Sequence, residues 1–229
     1  MAAFRSMLFA AALAGLLVGL FVTGLQRLGT VPLIQQAEVF ETAGAGHAGH
    51  DHEHDAAAWA PADGAERTLW TAVANIVTAT GFALLLVGAF AVRGGAPGWR
   101  SGLLWGLAGF ATFVLAPSLG LPPELPGMPA ADLGDRQLWW LATVLATAAG
   151  LGLIGLVRSP AAAVAGVVLL VAPHLVGAPM PADTASAVPE PLARSFVVAV
   201  TVTGLLFWAA LGVLSAVLFE RFGGGRLAA

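Results

Sequence analysis

The chain has 229 residues, of which 58% are hydrophobic and only 10% are charged, and its formal net charge is −3. Soluble domains carry roughly 25% charged residues, so this composition excludes an ordinary soluble fold and indicates a membrane protein. The sequence contains no cysteine, which excludes disulfides, thiolate metal sites and a thiol nucleophile. Every basic residue is an arginine and there are only ten, so nothing indicates a nucleic-acid partner.

Six apolar segments are long enough to cross a bilayer, because a hydrocarbon core of about 30 Å needs roughly 20 helical residues. They are residues 7–25, 69–92, 102–119, 138–157, 161–178 and 196–219. The fifth is the weakest, because Pro173 and His174 interrupt its outer end, and a re-entrant segment is the alternative. The sequence therefore predicts an all-α, polytopic integral membrane helical bundle, with 1–229 as a single membrane domain in contact with lipid.

The arginines predict how the bundle is oriented. With the N terminus inside, six arginines lie at cytoplasmic ends and loops and four lie outside, which satisfies the positive-inside rule modestly. Twelve of the thirteen acidic residues then lie outside, and Glu220 is the exception. We therefore expect both termini in the cytoplasm and an acidic outer surface that attracts cations.

Glycine pairs and one buried amide predict how the helices pack. Gly15 with Gly19 and Gly102 with Gly106 form small-xxx-small pairs in apolar segments, a spacing typical of closely packed membrane helices. Asn75 is a conspicuous polar residue at depth in the second segment. We expect it to form hydrogen bonds between helices.

The first extracytoplasmic loop, residues 29–67, carries the strongest chemical signal. His47, His50, His52 and His54 lie within eight positions, interleaved with carboxylates. Imidazole suits Zn, Cu, Ni and Co ions, so this tract predicts capture of a divalent transition-metal ion. Binding requires neutral imidazole and should weaken as the pH falls through about 6.5. The alternative is a solvated, pH-sensitive loop with no specific ligand.

Three other residues are candidate metal ligands. Glu38 and Glu41 are spaced i, i+3 and would share one face of a short helical extension; they either accept the ion from the histidines or are ordinary interfacial residues. His174 is either a ligand within the membrane boundary or a helix-end histidine bonded to a neighbouring carbonyl. Pro117 and Pro173 close the third and fifth segments, and proline leaves helix carbonyls without donors that can then face a cation.

The three outer loops lead into the returning helices in a similar way, which predicts three pseudo-repeated hairpins. In each, an acid precedes an arginine by four residues: Asp63 and Arg67, Asp132 and Arg136, and Glu190 and Arg194. Such an acid can cap a helix N terminus and share a face with the arginine. A capping box between Asp63 and Glu66 is also expected. These sites are either three interfacial helix caps or the rim of one entrance.

Several chemistries lack their sequence signature. There is no Walker A loop, no H-E-x-x-H zinc motif and no G-x-S-x-G elbow, so we expect a protein that is not an enzyme. No acid or arginine lies in the middle of a predicted span, so an obvious proton relay is absent as well. The energy source for any transport is therefore not assigned from these motifs.

Proline-rich motifs spread over most of the chain resemble those of the CbtA-type cobalt transporter subunits of bacterial membranes. The motifs are residues 31–34, 37–38, the histidine tract at 47–55, and residues 60–64, 66–68, 115–117, 120–127, 136–140, 172–179 and 207–208. The resemblance implies cobalt uptake across the cytoplasmic membrane, linked to cobalamin supply, with a small single-span partner of the CbtB type. It implies no cofactor besides the transported ion. A nickel, zinc or copper transporter of the same architecture and a non-transporting metal-binding scaffold or sensor are the alternatives.

Overall fold

A computed structural model describes residues 2–45, 61–94 and 97–222, and all regular structure within these ranges is helical. The helices are α1 (Ala2–Leu28), α2 (Thr30–Ala45), α3 (Ala65–Arg93), α4 (Trp99–Gly120), α5 (Leu133–Leu156), α6 (Pro160–Val176) and α7 (Glu190–Phe222). Among the described residues, α1, α3, α4, α5 and α7 are long and apolar enough to cross a membrane. The predicted polytopic helical membrane bundle is therefore confirmed.

Helix α6 corresponds to the fifth predicted segment, residues 161–178, and is shorter than the helices of the other five predicted segments. It has 17 residues, with Pro173 inside its last turns and Gly177 at positive φ immediately after it. At about 1.5 Å per residue it is roughly 25 Å long, slightly less than a hydrocarbon core. Among the described residues there are thus five candidate spans and one shorter apolar helix, whereas the sequence predicts six spans. A full crossing by α6 stays a prediction.

The predicted outer loop at 29–67 begins as helix α2. Glu38 and Glu41 therefore lie on a helix that follows the first span, as their spacing predicts. On the other side of the loop, the chain is described again from Pro61. The histidine tract lies outside the described residues.

The chain divides into two compact units, and unit 1 comprises Met1–Val31, Ala45–Leu107 and Leu205–Ala229. Within it, α1 packs against α3 through the first glycine pair. A Cβ atom at Gly15 would lie 2.5 Å from the Cα atom of Thr80, and one at Gly19 would lie 2.5 Å from the Cα atom of Ile76. Only glycine permits such an approach, so the predicted packing role of this pair is confirmed.

Asn75 joins the same two helices by hydrogen bonds. Its Nδ2 atom donates to Thr23 Oγ1 at 3.0 Å and to Gln26 Oε1 at 2.7 Å. An unpaired amide would be costly at this position, whereas a bonded one fixes the register of α1 on α3. The predicted interhelical role of Asn75 is confirmed.

The second glycine pair brings α4 against α7 inside unit 1. A Cβ atom at Gly106 would overlap the carbonyl oxygen of Trp208, and one at Gly102 would lie 2.5 Å from the carbonyl oxygen of Gly212. These neighbours are backbone atoms, which cannot move aside by a rotamer change. The second predicted packing pair is therefore confirmed as well.

Unit 2 comprises Pro32–Gly44 and Ala108–Gly204. Its buried cluster joins α2 to the two proline-rich loops, residues 121–132 and 177–189, and to α7, through Ala37, Leu125, Val188 and Phe196. The thioether of Met128 packs there and accepts the backbone N–H of Leu125 at 3.4 Å. These loops are thus part of a packed core.

Candidate metal-binding site

The seven predicted metal ligands have different outcomes. His47, His50, His52 and His54 lie outside the described residues, and the backbone of Glu41 lies near the end of α2. Glu38 on α2 and His174 on α6 are both half-buried. Within 2–45, 61–94 and 97–222, no group of three or more His, Asp or Glu side chains could hold a metal ion. Metal ligation by these seven residues therefore stays a prediction.

Glu38 is held in place by the packing of its neighbour. Ala37 is fully buried against Leu125, Val188 and Phe196. The adjacent Glu38 therefore lies on a helix that is anchored on the proline-rich loops, and its side chain is half-buried. Such an anchored carboxylate is better placed to act as a ligand than one on an unpacked loop, because less conformational entropy is lost on binding.

His174 lies against an aromatic ring. Its imidazole meets the Trp139 ring edge-on, with 5.9 Å between the ring centroids. The carbonyl oxygen of the preceding Pro173 accepts hydrogen bonds from Trp139 Nε1 at 3.3 Å and from the Gly177 backbone N–H at 3.1 Å. Trp139 therefore contacts both the imidazole of His174 and the carbonyl of the preceding residue.

Trp139 also contacts the end of α4. A Cβ atom at Gly120 would overlap the six-membered ring of Trp139 and would lie 3.0 Å from Ala178 Cβ. Trp139 therefore connects the end of α4, just after Pro117, to the end of α6 at Pro173. We name this contact the Trp139 junction; it comprises Gly120, Trp139, Pro173 and His174. Our site prediction omitted Trp139, although it lies in the motif at residues 136–140.

The three acid–arginine pairs do not all form as predicted. Arg67 Nη1 lies 3.0 Å from Asp63 Oδ1, and Arg194 pairs with Glu190, so two of the i, i+4 pairs are confirmed. The second is wrong, because Arg136 instead reaches Glu124 in the preceding loop, with 2.8 Å between Nη2 and Oε2. The Glu190–Arg194 pair is exposed on both sides, and exposed pairs of this kind are worth only about 0 to 1 kcal/mol each.

The helix caps differ between the hairpins too. Asp132 caps α5, since its Oδ1 atom accepts from the backbone N–H groups of Gly134 at 2.8 Å and Asp135 at 3.2 Å. The capping box predicted for Asp63 and Glu66 is wrong, because the N-cap of α3 is Gly64, at φ 92° and without a side-chain cap. Because Gly64 adopts this positive φ, the helix begins one residue later than predicted. The Asp63 carboxylate does not cap the helix and instead accepts a hydrogen bond from Arg67.

These features together define a polytopic helical membrane protein. In one of its units the proline-rich loops pack against α2 and α7, and the same unit contains the Trp139 junction with His174. The family model described as "probable cobalt transporter subunit (CbtA)" matches residues 4–220, nearly the whole chain. The chain belongs to the CbtA family. No curated protein and no solved structure matches it.

Proposed function

We propose that this protein is the membrane subunit of a divalent transition-metal uptake system whose cargo is cobalt. The match of nearly the whole chain to a cobalt transporter subunit family carries the proposal. In this account the protein lies in the bacterial inner membrane with both termini in the cytoplasm, which the arginine distribution favours. A small single-span subunit of the CbtB type accompanies it, and the cobalt serves cobalamin supply.

The ion path in this proposal begins at the histidine tract. His47, His50, His52 and His54 raise the local ion concentration, because imidazole binds Co²⁺ and an acidic outer surface attracts it. The ion then passes to Glu38 and Glu41 on α2. The anchoring of α2 on the proline-rich loops supports this step, since the helix carries both glutamates and ends at Ala45, two residues before His47 in the sequence.

His174 is the innermost ligand of the proposed path. Trp139 contacts its ring and bonds the neighbouring carbonyl, so the imidazole is positioned by rigid groups. The contact resembles the outer-shell support that metal-binding histidines receive, although here an aromatic edge takes the place of a carboxylate. An ionisable residue within a membrane segment is a functional-site candidate by default, which supports this role.

Metal accumulation in cells expressing the protein tests this assignment. Wild-type protein should raise cobalt accumulation above that of cells without it. Glu38→Gln and His174→Gln should each lower the saturated rate by at least about tenfold, because each removes a ligand of the path. The matched control is Glu220→Gln, which alters an exposed acid at the other end of the chain.

The outcomes separate the alternatives. Unchanged cobalt accumulation together with raised nickel, zinc or copper accumulation would contradict the cobalt assignment and favour a different cargo. Equal activity of Glu38→Gln, His174→Gln and Glu220→Gln would contradict the ligand roles. Accumulation of no metal at all would favour a non-transporting scaffold or sensor.

A further inference from the structure

Thr147 on α5 has a buried hydroxyl group without a hydrogen-bond partner among the described residues. Its side chain is only 2% exposed, and within the described parts of the chain its Oγ1 atom has no hydrogen-bond partner. Threonines in helices usually donate to the carbonyl four residues back. Thr143 does so to Trp139 at 2.9 Å, and Thr201 does so to Val197 at 2.7 Å. A buried hydroxyl without a partner is rare and calls for a ligand that completes it.

Two carbonyls of unit 2 lack their usual helical donor. In α4 the turn Ala111–Leu115 is π-helical, and Ala116 N donates to Ala111 O. The next residue is Pro117, which has no N–H, so the carbonyl of buried Thr112 receives no backbone donor from its own helix. Single π-helical turns are often found at functional sites.

The second carbonyl lies in α6. Pro173 is inside this helix and has no N–H to donate to the residue four positions earlier, Leu169. The Leu169 carbonyl therefore also lacks its helical partner. Helix α4 thus offers the Thr112 oxygen eight residues before its contact with Trp139, and α6 offers the Leu169 oxygen four residues before its own contact.

Helix register places these oxygens at one level. Gly120 of α4 meets Trp139 of α5, and eight residues away from that contact along the two antiparallel helices are Thr112 and Thr147. The π-helical turn of α4 contacts α5. Eight residues span roughly 12 Å along α5, and slightly less along α4 because its π-helical turn rises less per residue, so Thr112 and Thr147 have similar depths.

The third helix reaches the same level. Helices α5 and α6 meet at Trp139 with Pro173 and again at Gly150 with Gly166. The Leu169 carbonyl lies between these two contacts, as does Thr147. Three helices of unit 2 therefore bring neutral oxygen atoms to one depth, where Thr112 and Thr147 are buried.

We propose that these oxygens bind a small hard monovalent cation, Na⁺, inside unit 2. The ligands are Thr147 Oγ1 and the carbonyl oxygens of Thr112 and Leu169, and Thr143 Oγ1 can still accept. Neutral oxygens suit Na⁺, whereas transition metals favour imidazole and a dication at depth would need carboxylates. Carbonyls at interrupted helices coordinate Na⁺ in membrane transporters. Resting on the proposed function, Na⁺ entry would supply the energy for metal uptake.

Equilibrium binding of radiolabelled Na⁺ to the purified full chain in detergent tests the site directly. Binding should saturate and be displaced by unlabelled Na⁺ but not by choline. Thr147→Val should weaken it by about tenfold or more, because one ligand is lost while the shape is kept, and Thr147→Ser should stay close to wild type. Thr201→Val is the matched control, since that hydroxyl already has its partner.

Pro117→Ala provides a second, independent variant. It returns a backbone N–H that can satisfy the Thr112 carbonyl, so it should also weaken Na⁺ binding while every contact of Thr147 remains. An absence of saturable Na⁺ binding to folded wild-type protein would overturn the proposal, with the hydroxyl then solvated by water. Equal Na⁺ binding by wild type, Thr147→Val and Pro117→Ala would overturn it too.

The coupling role is tested separately in liposomes that carry the protein. Cobalt flux should increase when a Na⁺ gradient is directed inward, and Thr147→Val should remove most of that increase. A cobalt flux that does not change with the Na⁺ gradient would contradict the coupling of cobalt uptake to Na⁺ entry and leave the proposed function intact. Saturable Na⁺ binding without any cobalt flux would contradict the proposed function and leave the Na⁺ site intact.

Discussion

Replacing His47, His50, His52 and His54 together by asparagine is expected to raise the cobalt concentration for half-maximal uptake by at least about tenfold, which corresponds to ~1.4 kcal/mol of lost ion capture. The maximal rate should change much less, because at saturating cobalt the ion reaches the inner ligands without a collector. Initial uptake rates over a range of cobalt concentrations give both quantities.

Acidification provides the internal control for this variant. Wild-type half-saturation should rise as the pH falls through about 6.5, since protonated imidazole is no ligand. The four-asparagine variant should lose most of that rise, because His174 is the one proposed imidazole ligand that it keeps. Equal half-saturation concentrations for the two proteins at neutral pH would contradict the collector role and favour a solvated loop with no specific ligand.

Replacing Gly106 by leucine is expected to cost about 3 kcal/mol or more of folding stability, which is at or above the usual range for overpacking. The new Cβ atom would overlap the Trp208 carbonyl oxygen, and the side chain would force α4 away from α7. We expect a large loss of monodisperse protein in detergent and a lower melting temperature, measured by size-exclusion chromatography of heated samples.

Gly81→Leu is the matched control for this substitution. Gly81 also lies in a membrane helix, on α3, but a Cβ atom there would meet nothing within 4 Å. It should therefore give a yield and a melting temperature close to wild type. If Gly106→Leu behaves like Gly81→Leu, the close crossing of α4 and α7 is contradicted.

Much of this fold could be predicted because it depends on local patterns. Apolar length alone predicts α1, α3, α4, α5 and α7, since a bilayer requires about the same number of helical residues for each crossing. The glycine pairs and Asn75 were also predicted correctly, because lipid leaves close packing and hydrogen bonds as the main means of joining helices. Helix α6 was the weakest predicted span, and among the described residues it is the apolar helix that is shorter than the five candidate spans.

The wrong predictions concern side chains whose partner is distant in sequence and a helix cap that depends on backbone conformation. Arg136 has an acid at the expected spacing, yet it binds Glu124, because the folded loop brings a second carboxylate near. Gly64 replaces Asp63 as the N-cap because of its positive φ, which no charge pattern shows. The position of Trp139 between two proline-bearing helix ends requires the packing of three helices.

The candidate site could be predicted only in its residue types. Histidine and glutamate spacing indicates metal chemistry, but it does not tell whether Glu38 and His174 contribute to one path. The Na⁺ site that we propose at Thr147 has no sequence signature, because threonine in an apolar helix usually bonds its own backbone. It depends on the π-helical turn before Pro117 and on the register of α4, α5 and α6.

Metal flux into liposomes tests the central claim most directly. The purified protein, with and without the small single-span subunit, is reconstituted in vesicles containing a metal-sensitive dye, and Co²⁺, Ni²⁺, Zn²⁺ and Cu²⁺ are added outside in turn. We expect Co²⁺ to enter these vesicles much faster than it enters protein-free vesicles, and faster than the other three ions. Absence of flux for every ion, with or without the small subunit and under an inward Na⁺ gradient, would contradict it.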